Sequence, residues 1–137
     1  MQVTPYLFFN GRCDEALAFY RDALGAQVER LSRFNEAPQL PPGATPDHGD
    51  KVMHVSFRVG DSVLMASDGM PDGAAQFTGF SLSLDYEDVD QARRAFEALS
   101  QGGKIVMPLD ATFFATLFGM VCDRFGIQWM VGVMHKS

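Results

Sequence analysis

Val52-Met53-His54-Val55-Ser56-Phe57-Arg58-Val59-Gly60-Asp61-Ser62-Val63-Leu64-Met65-Ala66 carries the clearest periodicity in the chain. In its first eight residues Met53, Val55, Phe57 and Val59 point one way and His54, Ser56 and Arg58 the other, as in a strand that rests one face on a core. Gly60-Asp61 supplies a two-residue turn, and Ser62 to Ala66 runs back, so the stretch reads as a β-hairpin.

Upstream, Thr4 to Phe9 is an apolar and aromatic run that ends at Asn10-Gly11, the pattern of a strand entering a turn. Cys13, Ala16, Leu17, Tyr20 and Leu24 then recur at helical spacing, Asp14 and Glu15 occupy the first turn, and Gly25 stands where a left-handed cap belongs. Ala26 to Phe34 reads as extended. Glu36 to Asp50 is too rich in Pro and Gly for regular structure and reads as a connector, with a lid as its other possible role. With the hairpin added, the order is strand, helix, three strands.

Downstream of a Ser67 to Gln76 connection the same order returns. Phe80, Leu82 and Leu84 alternate with Ser81 and Ser83, and acidic Asp85 to Asp88 leads into a helix with Val89, Ala92, Phe96 and Leu99 on one face. Gly102-Gly103 closes that helix, and extended segments follow at Lys104 to Met107, Thr112 to Val121 and Gln128 to Met134, divided by Pro108 and Phe125-Gly126. Cys13, Ala16 and Tyr20 overlay on Val89, Ala92 and Phe96, which marks a duplication. The expectation is an α+β fold in which two βαβββ repeats, about 1–70 and 77–137, form one domain over 1–137. Each repeat alone leaves an apolar face and open edges, so pairing about a pseudo-twofold axis around an open, curved sheet groove is expected.

Composition narrows the function classes. The 137 residues are 47% hydrophobic and 20% charged, enough to fill a core and too apolar for a disordered chain. The net charge of −6 without a basic run removes the electrostatic basis for nucleic-acid binding, and no apolar stretch approaches the ~20 residues of a membrane helix. The first residues lack a signal-peptide pattern, so the cytoplasm is expected. Cys13 and Cys122 form no CxxC pair and read as small core residues. No GxSxG, P-loop or GxGxxG motif is present.

Pro5-Tyr6-Leu7-Phe8-Phe9-Asn10-Gly11 before Glu15-Ala16-Leu17-Ala18-Phe19-Tyr20 resembles the PhnB-like family, as do Ser67-Asp68-Gly69-Met70-Pro71, Gly102-Gly103-Lys104 and Asp123-Arg124-Phe125-Gly126 with Trp129. That family lies within the glyoxalase, bleomycin-resistance and dioxygenase (vicinal oxygen chelate) superfamily. Catalytic members hold a divalent metal by His and Glu side chains. The resemblance puts the corresponding positions at Pro5, Met65, Gly79 and Met130, none of which ligates a hard dication. No catalytic metal, cofactor or catalytic residue is therefore expected. Thioethers suit soft ions such as Cu(I), but Met65 and Met130 read as packing.

The resemblance turns the polar strand faces, His54, Ser56 and Arg58 on one and Ser81 and Ser83 on another, into the groove. The alternation alone leaves open that they face solvent or a partner. The leading expectation is a binding module that takes a small, partly apolar molecule against Leu7, Phe9, Met65 and Met130, oriented by His54, Arg58, Ser81 and Ser83. A lyase, isomerase or dioxygenase with His54 as general base is the second reading, and an accessory role in phosphonate metabolism the third. The methyltransferase function sometimes attached to this family lacks a nucleotide-binding turn here. A homodimer is expected by resemblance.

Overall fold

The computed structural model describes residues 1–39, 49–69 and 75–135; His48, Met70, Pro71 and most of the Glu36 to Asp50 connector lie outside the described residues. The chain divides into two compact units, residues 1–75 and 76–137.

The first unit comprises β1 (Tyr6–Phe8), α1 (Cys13–Leu24), β2 (Gln27–Arg33), a 3-10 turn at Phe34–Glu36, β3 (Val52–Val59) and β4 (Ser62–Ser67). The second comprises β5 (Leu82–Asp85), α2 (Val89–Ser100), β6 (Lys104–Asp110), β7 (Ala115–Cys122) and β8 (Gln128–Met134). Each is a βαβββ unit with an open four-stranded sheet, in the orders β1-β4-β3-β2 and β5-β8-β7-β6. In both, the first strand runs parallel to the last and the other neighbours are antiparallel. The two helices have 12 residues each and start at Cys13 and Val89, the positions that overlay in the sequence.

The α1 face runs through Cys13, Ala16, Leu17 and Tyr20, all buried, and Gly25 ends it at φ 70° with its N–H on Arg21 O. Its start is less ordinary, because Arg12 at the cap position offers no side-chain acceptor. Asp68, just beyond β4, does so from a distance: Oδ1 accepts the Gly11 and Cys13 N–H groups and Oδ2 accepts the Val52 N–H, each at 2.8 Å. That carboxylate is buried, and three backbone donors satisfy it. In the second unit Asp88 caps α2 through the Asp90 N–H. Asp123 is the buried tie there, with Oδ1 on the Phe125 and Ile127 N–H groups and Oδ2 on Trp129 Nε1.

Several boundaries differ from the periodicity. β1 spans only Tyr6–Phe8, β5 begins at Leu82 rather than Phe80, and β7 begins at Ala115 rather than Thr112. Pro108 does not end β6, which runs through it to Asp110; β6 is an edge strand with pairing irregularities on both sides of Met107, where a missing N–H is tolerated. In β3 the pairing slips between Ser32 and Arg33, so Val52 is buried and Met53 is not.

Asp14 does not cap its own helix. It forms a two-pronged pair with Arg33 Nη1 and Nη2 at 2.9 and 3.0 Å, and the hydrogen bonds from Arg33 hold its carboxyl below the usual range. A lowered folded value means the stabilisation is complete above the unfolded carboxylate pKa of about 3.9 and is lost as pH falls through the folded value. The pair is largely exposed, so under about 1 kcal/mol is at stake. Asp14→Asn should flatten that part of the acid limb in urea melts taken between neutral pH and pH ~2.5; an unchanged limb would assign the acid sensitivity elsewhere. No helix among the described residues is long and apolar enough to cross a membrane.

Candidate functional site

Each sheet has one face under its helix and one face away from it, and the pairing register decides which side chain lies on which. In the first unit the row Leu7–Ala66–Val55 is buried, while the next row, Tyr6–Met65–Ser56, lies on the opposite face. Tyr6 and Phe8 are exposed on that face with ring centroids 5.0 Å apart. Tyr6 reaches past β4 to His54, its Oη 3.1 Å from Nδ1. The imidazole is thus oriented through Nδ1 by a phenol.

Arg58 shares the face but is committed. Its Nη2 and Nε donate to Glu29 Oε2 at 3.1 and 3.3 Å, and Nη1 donates to Asp61 O. The ligand-orienting cation of the sequence reading is thus paired with Glu29 across neighbouring strands in a partly exposed ion pair. Leu7 and Phe9 are corrections of a different kind. Both are 2% exposed, on the helix-covered side, and Phe9 packs its ring against Tyr20. They belong to the core, and the open aromatic pair of this strand is Tyr6 and Phe8. The run Tyr6-Leu7-Phe8-Phe9 is apolar at every position, so no polar alternation marks which half faces out.

In the second unit Gly119 settles the sidedness: a Cβ there would lie 2.8 Å from Phe96 Cε2 of α2, so Gly119 and its row face the helix. The alternate positions Phe118, Met120 and Cys122 lie on the other face. On it Ser83 pairs with Met130, Met130 with Met120 and Met120 with Met107, a continuous row across all four strands. The adjoining row is Asp85, Gly132, Phe118 and Asp110, and the Phe118 ring extends to Phe114 at 5.1 Å. Ser81 precedes β5 and is half-buried, outside the row. Met107, Met120 and Phe118 escaped the sequence reading, since only pairing brings them beside Met130. Cys13 is fully buried as expected, whereas Cys122 is only half-buried; burial and neighbouring Asp123 push its thiol up.

A cleft of about 550 Å³ lies between α1 and β2, floored by Leu17, Ala18, Val28 and Leu31. It is on the helix side of the sheet, away from Tyr6 and His54, and its Asp14 is held by Arg33.

The positions that would carry the relatives' divalent metal do not suit one. Met65 donates its N–H to Pro5 O, which places the two together, but they offer a thioether and no second side-chain ligand. Met130 faces Ser83, and among the described residues no group of three or more His, Cys, Asp and Glu converges to hold a metal. The donor set does not fit a hard dication.

A family model described as Glyoxalase/Bleomycin resistance protein/Dioxygenase superfamily matches residues 2–131. Protein YjdN of Escherichia coli strain K12 is 38% identical over 146 residues, covering 100% of this chain and 98% of that protein. Among solved structures, protein PA1353 from Pseudomonas aeruginosa is similar at TM-score 0.86 and 41% identity, covering 99% of each chain. A Bacillus cereus protein described as a putative 3-demethylubiquinone-9 3-methyltransferase, PhnB protein, is similar at TM-score 0.79 and 25% identity over 97% of this chain and 99% of its own.

Proposed function

The chain belongs to the Glyoxalase/Bleomycin resistance protein/Dioxygenase superfamily, among its PhnB-like members, and we propose that within it this protein binds a small, partly apolar molecule on its open sheet faces without a catalytic metal. The observation that carries this reading is the make-up of those faces. Tyr6, Phe8 and Met65 offer an accessible apolar surface with one oriented polar pair, Tyr6 and His54, and the Met107–Met120–Met130 row offers adaptable sulfur and methylene contacts. A mostly apolar surface with a few placed polar groups is what a binding site for such a ligand requires. The turns from β1 to α1 and from β5 to α2 carry no glycine-rich loop, so the methyltransferase description of the Bacillus cereus protein is not extended to this chain.

The oriented His54 also supports a second reading, general-base chemistry, since its Nδ1 contact leaves Nε2 to meet a substrate. A thermal-shift screen of planar aromatic and amphipathic compounds tests the first. A ligand at 100 times its dissociation constant should add about 2.7 kcal/mol of stability. Tyr6→Ala and His54→Ala should each weaken a hit at least ~10-fold, about 1.4 kcal/mol, without lowering the melting temperature of the free protein. A screen in which nothing stabilises the protein, or hits indifferent to both variants, would reject the assignment of this face.

A further inference from the structure

Met107, Met120 and Met130 are far apart in the chain and directly paired in the sheet: Met107 stands opposite Met120 on β6 and β7, and Met120 opposite Met130 on β7 and β8. Directly opposed residues have Cβ atoms about 4.5–5.5 Å apart, and each methionine then has three rotatable bonds with which to bring its sulfur toward a common point above Met120. We propose that this row is a binding site for one soft monovalent cation, Cu(I) by its chemistry, with Ag(I) as its redox-inert equivalent.

Donor type and accessibility together support the assignment. A thioether is a soft, neutral ligand with no proton to displace, so it selects Cu(I) and Ag(I) over the hard Mg²⁺ or Ca²⁺ and the borderline Zn²⁺. Met107 is 42% exposed and Met120 and Met130 are half-buried, so the sulfurs are open to an ion arriving with its hydration shell. Gly119 against Phe96 shows that the alternate row, Met120 included, faces away from the helix. Cys122 lies on the same face two residues beyond Met120 and is itself a soft donor, so the thioether site is tested with that thiol removed. The family resemblance names Met130 together with Met65, which belongs to the other sheet, whereas Met107 and Met120 are Met130's neighbours by register within one sheet. The inference is independent of the small-molecule reading, which uses the same face without requiring a metal.

The experiment is titration of the full chain with silver nitrate in chloride-free buffer, read by calorimetry and by native mass spectrometry, with Cys122→Ser as the background that removes the accessible thiol. One Ag(I) per chain is expected in that background. Adding Met120→Leu should weaken binding at least ~10-fold, and Met107→Leu should weaken it too. Leucine nearly conserves methionine's volume, and an unchanged thermal melt checks that the fold is kept. Cu(I) supplied anaerobically against a competing bicinchoninate indicator should reproduce the order. Loss of all Ag(I) binding in Cys122→Ser would reduce the site to a single thiol and overturn the proposal, as would full retention in Met120→Leu.

Discussion

Asp68→Ala should destabilise the protein by about 4 kcal/mol, because it strips three buried backbone N–H groups of one shared acceptor. Val52 and Cys13 are fully buried, so water cannot take the carboxylate's place at either. Asp68 also donates its own N–H to Val52 O, and its loss loosens the entry to β3 together with the start of α1. A change of that size is a large part of the 5–15 kcal/mol that holds a domain folded, and corresponds to a fall in melting temperature of roughly 15 °C. Asp68→Asn should cost less, since an amide oxygen still serves Gly11 and Cys13 while the amide nitrogen confronts the Val52 N–H. Urea unfolding of both variants checks the order Ala worse than Asn worse than wild type. If Asp68→Ala falls within ~1 kcal/mol of wild type, the carboxylate is not the tie that its geometry describes.

Gly103→Ala carries the second large effect, about 3 kcal/mol of destabilisation. A Cβ at this position runs into the Cys122 carbonyl oxygen and comes to 3.0 Å from Asp123 Cα. Both are backbone atoms, so no side chain can swing aside, and either the start of β6 or the end of β7 must move. The Asp123 carboxylate that binds Phe125, Ile127 and Trp129 hangs from the same piece of backbone. Gly132→Ala is the control, since its Cβ finds 3.4 Å to Leu117 O and 3.5 Å to Phe118 Cδ2, ordinary contacts. A melting temperature for Gly103→Ala no lower than that of Gly132→Ala would contradict the close approach. The neighbouring Gly102 is constrained differently, by its φ of 74°, so the Gly102-Gly103 pair that reads as one helix stop serves two purposes.

Repeating polarity made the architecture legible. β3 and the two helices have one apolar and one polar side, so their residues declare both the element and its orientation, and Cys13–Leu24 and Val52–Val59 come out to the residue. β1 declares only that it is a strand. With Tyr6, Leu7, Phe8 and Phe9 all apolar, the sequence does not say which half faces the helix, and the structure buries Leu7 and Phe9. The methionine row was invisible for another reason: adjacency between β6, β7 and β8 depends on register, and the bulges beside Met107 are not written in any local spacing. Asp68 and Asp123 stood inside stretches that carried the family resemblance, yet nothing local marks a carboxylate as the acceptor for backbone groups more than 50 residues away, as Asp68 is for Gly11.

The parallel pairing of β1 with β4 has a consequence for the order in which the first unit is built. A hairpin such as β3–β4 closes over two residues, but β1 has only three residues of ladder, and its partner is the last strand of the unit to leave the ribosome. Contacts of such long sequence separation incur their loop-closure entropy before they return any stabilisation, so they form late and slow the whole process. Until Met65 and Ala66 are available, Tyr6-Leu7-Phe8-Phe9 is an unpaired aromatic segment of the emerging chain, the kind of segment that chaperones shield.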